Sequence, residues 1–316
     1  MKLSVVICTY NGANFIEAQI RSIISQTPKI NEIVVCDDGS SDETLEIMKN
    51  EFERASFSNY LILDSSSHLG VSANFLRGLK ASSGDYVFCC DQDDVWCDDK
   101  VSVFLEAVNR SHKDLYFSDG YVVNSDLTKR DYSLWNTLHF SYSDIDDDSM
   151  LDILLSKCVV TGAAMLVSRR LIDMVDTVPD SWLHDGWFAM AAAAEGSIEP
   201  INSKTFLYRQ HGSNVVGAHS ASLCERVKAW VNGICKQPEV RRQRFDRYVH
   251  ARDDLGIKGD AINGCLGFWG QLIELEEHGL FYGFITVIKL FANCSYSRYY
   301  TGLRGAIRDL LWLFTR

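Results

Sequence analysis

Four consecutive oxygen-bearing side chains, Asp91, Gln92, Asp93 and Asp94, follow the apolar run Tyr86–Cys90 and precede Val95-Trp96. Carboxylates gathered at the end of a strand are costly unless they are solvated or paired with a cation. Magnesium and manganese take oxygen ligands and reach substrate diphosphates through one or two carboxylates. The segment therefore reads either as a polar loop or as a Mg2+ or Mn2+ site facing a diphosphate. Two more turns, Thr9-Tyr10-Asn11-Gly12 and Asp37-Asp38-Gly39, end other apolar runs. If all three share a rim, Asp38 can accept from the imide N–H of a base, Tyr10 can pack on the ring and Asp91 can take ribose hydroxyls. Alone, Thr-Tyr-Asn-Gly is as readily a plain turn. Arg77 can reach a diphosphate or close a salt bridge.

The elements that must carry these residues follow from periodicity. From Leu3 to about Asp119, short apolar runs alternate with helix-period segments, the pattern of a mostly parallel sheet with helices on both faces. Strands are expected at Leu3–Cys8, Glu32–Cys36, Tyr60–Leu63, Asp85–Cys90 and Leu115–Phe117, with Phe15, Ile16, Ile20, Ile23 and Ile24 on a helix between the first two. Ser40 followed by Glu43 predicts a reciprocal cap at the start of the second helix. Open parallel sheets bind ligands beyond the carboxyl ends of their strands, which is where the three turns fall. A second half runs from about Asp152 to Gly217, with an apolar segment Val159–Val167, a helix starting near His184 and Asp185, and a strand-like Lys204–Tyr208. The last hundred residues read as helical, with Trp230, Trp269 and Trp312. In the tail from Phe281, Lys289, Arg298, Arg304, Arg308 and Arg316 outweigh Asp309. That tail fits an acidic membrane surface or, equally, a helical packing or oligomer surface.

Bulk properties exclude several classes. The 316 residues, 47% hydrophobic and 23% charged, describe a folded chain rather than a disordered one. A formal charge of -11 speaks against a broad nucleic-acid surface. Asp144, Asp146, Asp147 and Asp148 read as a solvated loop. Cys8, Cys36, Cys89 and Cys90 sit in apolar runs, so reduced core thiols are expected and a structural zinc cage is not. The amino-terminal run reads as a strand rather than a signal peptide, and Leu280–Phe291 is short for a membrane span.

Taken in order, SVVICTYNG, IVVCDDGSSDET, LGVSANFLRGLKASSGDYVFCCDQDDVW, TGAAML, HDGW and YRQHGSNVVG resemble the family 2 glycosyltransferases with a GT-A fold, especially the rhamnosyltransferase-like enzymes of bacterial polysaccharide synthesis. The resemblance covers about Leu3 to Gly217. It implies a GT-A-type, Rossmann-like α/β domain over residues 1–218, with a nucleotide-sugar half at 1–119 and an acceptor half at 120–218. A helical region at 219–316 would follow. The implied activity is inverting transfer from dTDP-rhamnose or a UDP-hexose to a hydroxyl of a glycan or lipid-linked oligosaccharide for O-antigen or capsule, in the cytoplasm or at the inner face of its membrane.

Position by position, the resemblance implies that Thr9, Tyr10 and Asp38 hold base and ribose, with Asn11, Arg77 and Gln92 counted in the donor site. Asp91 and Asp93 form the metal motif, Asp93 as direct ligand, with Mg2+ or Mn2+ as cofactor. His211 completes metal or diphosphate binding and Arg209 pairs with the diphosphate. Asp185 is the base that takes the acceptor proton. Similar enzymes more often carry Glu where His184 stands, a departure that leaves the aspartate intact. Selectivity is expected around Trp135, Trp182 and Trp187. A dehalogenase-type phosphatase fits poorly because its Asp-x-Asp belongs near the chain start, and no Gly-x-Gly-x-x-Gly supports a dinucleotide oxidoreductase. A noncatalytic nucleotide-sugar-binding scaffold is the remaining alternative.

Overall fold

The computed structural model describes residues 1–64, 68–145, 150–211 and 236–315. In chain order the elements are β1 (Leu3–Thr9), α1 (Ile16–Ile24), β2 (Glu32–Asp37), α2 (Thr44–Arg54), β3 (Tyr60–Leu63), α3 (Val71–Ala81), β4 (Tyr86–Asp91), β5 (Val95–Trp96), α4 (Lys100–Ser111), β6 (Leu115–Val123) and β7 (Lys129–Ser133). Next come α5 (Leu134–Thr137), α6 (Met150–Ser156), β8 (Met165–Ser168), α7 (Arg169–Met174), α8 (His184–Ala194) and β9 (Ile198–Arg209). Five helices close the described chain: α9 (Gln237–Asp254), α10 (Asp260–Glu274), α11 (Leu280–Ala292), α12 (Ser295–Tyr299) and α13 (Leu303–Thr315).

These elements fall into two compact units, one of residues 1–146 and 159–217, the other of 147–158 and 218–316. In the first, the strands form one sheet in the order β3-β2-β1-β4-β8-β6-β9-β5, with β7 on β6. The run β3-β2-β1-β4 is parallel, as the uninterrupted apolar strands require, because both faces are covered. Beyond it the sheet is mixed: β8 runs antiparallel to β4 and β6, while β9 is parallel to β6. The fold is the α/β, GT-A-type architecture expected, with helices at the carboxyl end. Ile16, Ile20 and Ile23 of α1 are fully buried, on the face the helical spacing predicts.

The cap on the second helix is not the one expected. α2 starts at Thr44, and Glu43 makes no side-chain cap. The buried Asp37 carboxylate instead accepts from the amides of Gly39 and Ser40 and from the Ser40 hydroxyl. A carboxylate with no exposure satisfies its lone pairs first, and it takes the serine that would otherwise have capped.

The second unit is helical. α6 packs with α10 and α12, and an Arg298–Asp152 pair at 3.0 Å ties α12 to α6. Its interior holds Trp269, Tyr248 and Tyr296 together with a wholly buried Arg241–Asp309 ion pair at 2.7 Å. The Tyr296 hydroxyl donates to the other Asp309 oxygen at 2.8 Å, and the Arg241 guanidinium lies 4.2 Å from the Trp312 ring centre. Trp269 and Trp312 are thus core residues, whereas Trp230 and Arg316 lie outside the described residues. So do Asp146, Asp147 and Asp148. Asp144 is an exposed member of a short turn whose carboxylate accepts from the Ser141 amide. Among the described residues no helix is long and apolar enough to cross a membrane, and all eight described cysteines are free thiols.

Candidate active site

Sheet register brings the three turns together. Thr9 pairs with Asp37 and Cys8 with Asp91, so β1, β2 and β4 end side by side. The Gln92 side chain clamps the Tyr10 backbone, accepting from its amide at 2.9 Å and donating to its carbonyl at 3.0 Å. Gly12 permits this, since a Cβ there would sit 2.1 Å from Gln92 Oε1. Asn11 accepts from the Ser41 amide at 2.8 Å, while its own amide donates to Ser40, locking the first two turns together. Thr9 is buried and donates its hydroxyl to Asp37 at 2.7 Å, so here it builds the turn.

Tyr10 is half open to solvent, with its ring 4.8 Å from that of His68. Asp38 accepts from the amides of Leu69 and Gly70 at 2.6 and 3.0 Å, and His68 Nδ1 lies 2.8 Å from its carboxylate. Arg77 ties backbone here. Its guanidinium donates to the carbonyls of Leu63 and Asp37 and to Asn74, tying the ends of β2 and β3 rather than pairing with a carboxylate.

The acidic segment is held from behind by α1, a feature the sequence reading missed. Gln19 donates to the Asp91 carbonyl at 2.9 Å, and Ser22 accepts from the Trp96 amide at 3.0 Å. Gln26, just beyond α1, donates to the Cys97 carbonyl and accepts from the Val101 amide. Three polar residues at helical spacing amid buried isoleucines were the available signal. In front, β5 pairs antiparallel with β9, Val95 opposite Leu207, which carries Arg209 and His211 onto the same segment. His211 Nε2 lies 2.8 Å from Asp93 Oδ2, and its ring stacks on Phe15 with centres 4.4 Å apart. Arg209 donates its amide to Asp94 at 3.0 Å and its Nε to the Asp93 carbonyl at 2.7 Å. Here Arg209 fixes the acidic turn.

Electrostatically the segment is overloaded with negative charge. Burial, then the charges of Asp93 and Asp185, push the Asp91 carboxyl up to about 7. Burial, then Asp93 and Asp91, raise Asp94 well above the carboxylate range, and its Oδ2 is buried without a hydrogen-bond partner. The Tyr208 phenol is raised too, by burial and then by Asp94, Asp91 and Asp93. Two buried cations oppose them, Arg209 and Lys100. Lys100 has no exposure, donates to the Ala163 carbonyl at 2.8 Å and sits between Trp96 and Phe206, 4.7 and 4.6 Å from their centres. Burial lowers it to about 8. An ammonium inside an aromatic box was not legible from a lysine at a helix start.

Asp185 lies in the first turn of α8, where the helix dipole favours a carboxylate. Its oxygens accept from the amides of Gly186 at 2.6 Å and Gly162 at 3.2 Å. His184 is turned inward, 4% exposed and stacked on Phe75 at 4.1 Å, with neither ring nitrogen hydrogen-bonded. Burial lowers its pKa. Gly162 sits between the two side chains. The three indoles around which selectivity was expected are buried: Trp135 packs near Phe117 and Phe140, and Trp182 near Trp187.

The donor set of Asp91, Asp93 and His211 suits a hard divalent ion, since two carboxylates in a cation-poor rim gain from added positive charge. Among the described residues no three such side chains are already gathered in metal-binding geometry.

Residues 4–173 match the family model for glycosyl transferase family 2. The dTDP-rhamnosyl transferase RfbG of Shigella flexneri is 30% identical over 278 residues, 83% of this chain and 92% of that protein. A cholesterol galactosyltransferase of Borreliella burgdorferi is 33% identical over 121 residues, 38% of this chain but only 33% of its own length. Among solved structures, S. aureus TarS 1-349 in complex with UDP aligns with a TM-score of 0.59 and 15% identity over 100% of this chain and 91% of that one. The mannosyltransferase PcManGT from Pyrobaculum calidifontis, in complex with GDP-Man and Mn2+, gives a TM-score of 0.51 at 16% identity, over 99% and 85%. At those identities the structural likeness is one of fold.

Proposed function

Because this chain belongs to glycosyl transferase family 2, we propose that it moves a sugar from a nucleoside-diphosphate donor to a hydroxyl of a glycan or lipid-linked oligosaccharide in bacterial surface polysaccharide synthesis, inverting the anomeric carbon. The observation that carries the reading is the grouping of Asp91 with the Asp93–His211 pair, close enough to the amide-held Asp185 for its charge to act on Asp91. Asp91, Asp93 and His211 would hold Mg2+ or Mn2+, which when bound neutralises charge on the departing diphosphate.

The chain's own residues supply the rest. Tyr10 offers a ring face to the base, and Asp38 offers an imide acceptor whose oxygens the Leu69 and Gly70 amides orient. A sugar hydroxyl is a weak nucleophile near neutral pH, so Asp185 takes its proton as the new bond forms. A single carboxylate acting opposite the leaving group gives one displacement and inversion, by the logic that governs inverting glycosidases. The relatives favour a dTDP- or UDP-linked sugar: the Shigella flexneri protein is named a dTDP-rhamnosyl transferase, and an Escherichia coli relative, 29% identical over 126 residues, is named for UDP-Glc. Asp185→Asn should lower turnover by about 10²–10⁴-fold while donor affinity, read by calorimetry, stays near wild type. Unchanged turnover would refute the assignment of the base.

A further inference from the structure

We propose that α11 and α13 form a face that lies flat on an anionic lipid surface. The inference deepens the reading of a lipid-linked acceptor, but its test needs no transfer reaction. Eleven of the twenty large apolar side chains exposed among the described residues lie between Leu280 and Phe314. Such side chains scattered singly are ordinary, and a concentration of this kind marks an interaction surface.

On α11 the inward side is Gly283, Thr286, Val287 and Leu290, with Gly283 against Leu313 of α13. Phe281, Phe284, Ile285 and Ile288 repeat the same spacing on the other side, and Phe281 is 79% exposed. A helix apolar all round belongs inside a core or a membrane, yet half of this one is open. α13 follows suit: Ala306, Asp309, Trp312 and Leu313 face inward, while Leu303, Ile307, Leu311 and Phe314 are exposed.

Charge selects the occupant. The one carboxylate between Leu280 and Thr315 is Asp309, which has no exposure and is bound by Arg241. Exposed charge there is therefore positive, in a chain of net charge -11. Lys289 and Arg304 are exposed. A second copy docking this face about a two-fold axis would meet the cations with a surface whose one carboxylate, Asp309, is buried. An anionic bilayer takes both features, apolar side chains at the acyl boundary and cations among the headgroups. At about 1.5 Å per residue, the 13 residues of α11 reach about 20 Å, short of a hydrocarbon core of about 30 Å, so the helix lies on the surface.

The test is co-sedimentation of the full chain with phosphatidylcholine vesicles, with and without phosphatidylglycerol. The chain should pellet with the anionic vesicles and stay largely in solution with phosphatidylcholine alone. Lys289→Glu with Arg304→Glu should cut binding by at least about fivefold per charge. Phe281→Ser with Ile288→Ser should abolish it without lowering Tm, because both side chains point outward. Absence of pelleting with anionic vesicles would overturn the proposal, as would wild-type binding by the Phe281/Ile288 variant. A wild-type dimer that this variant splits would also overturn it, by assigning the face to a second copy. Nucleotide release with a soluble acceptor, measured on the same variants, keeps failure of the anchor distinct from failure of the transfer reading.

Discussion

Each of the two units buries carboxylates, and they settle that charge differently. In the helical unit Asp309 has both oxygens bonded, one to Arg241 and one to Tyr296, and the guanidinium is itself shelved on Trp312. In the sheet unit Asp91, Asp93 and Asp94 crowd one turn, Asp94 keeps an oxygen without a partner, and the buried cation Lys100 donates to a carbonyl rather than to any of them. In the first the carboxylate is fully paired within the chain and holds helices together, although Nε and Nη1 of Arg241 are buried without a hydrogen bond. The second is left short of positive charge, a condition under which carboxyls hold their protons more tightly, as Asp91 and Asp94 do, or gain from an added cation.

The contrast breaks most visibly if Arg241 is removed. Arg241→Ala strands a buried carboxylate and should cost about 3–5 kcal/mol of stability, read by urea unfolding, whereas the paired change Arg241→Met with Asp309→Leu should cost much less. A loss under 1 kcal/mol for the single variant would mean that Asp309 finds other partners. In the sheet unit, His211→Ala should leave stability nearly unchanged but weaken metal-dependent donor binding by about 10–100-fold, measured by calorimetry with and without Mn2+. Equal donor affinity in both proteins would remove His211 from the site.

A smaller effect sharpens the role of the loop before β8. A Cβ on Gly162 would meet His184 Nε2 at 2.7 Å, and the Gly162 amide is one of the two that hold Asp185. Gly162→Ala should lower turnover by about tenfold with donor affinity unchanged, and His184→Ala in the same chain should recover much of it by making room. Loss of donor affinity in place of turnover would show that the loop serves the nucleotide side.

Much of this was legible in sequence because strand ends are legible. Uninterrupted runs such as Ser4–Cys8 and Tyr86–Cys90 admit few alternatives, and the parallel register then obliges Thr9, Asp37 and Asp91 to be neighbours. What sequence did not reveal depends on contacts distant in the chain. Gln19 grips a carbonyl 72 positions away and Lys100 one 63 positions away. Arg77 and Arg209 both donate to backbone carbonyls that no sequence pattern announces. That the indoles of Trp135, Trp182 and Trp187 are buried depends likewise on packing neighbours that no pattern announces.

The most direct test of the central claim is nucleotide release from a panel of dTDP-, UDP- and GDP-sugars, with Mg2+, Mn2+ or chelator and membrane glycolipid extract as acceptor. Metal-dependent release from one donor, lost on chelation, is the expected result. Silence across the panel, with no donor binding by calorimetry, would contradict it and return the chain to the noncatalytic scaffold reading.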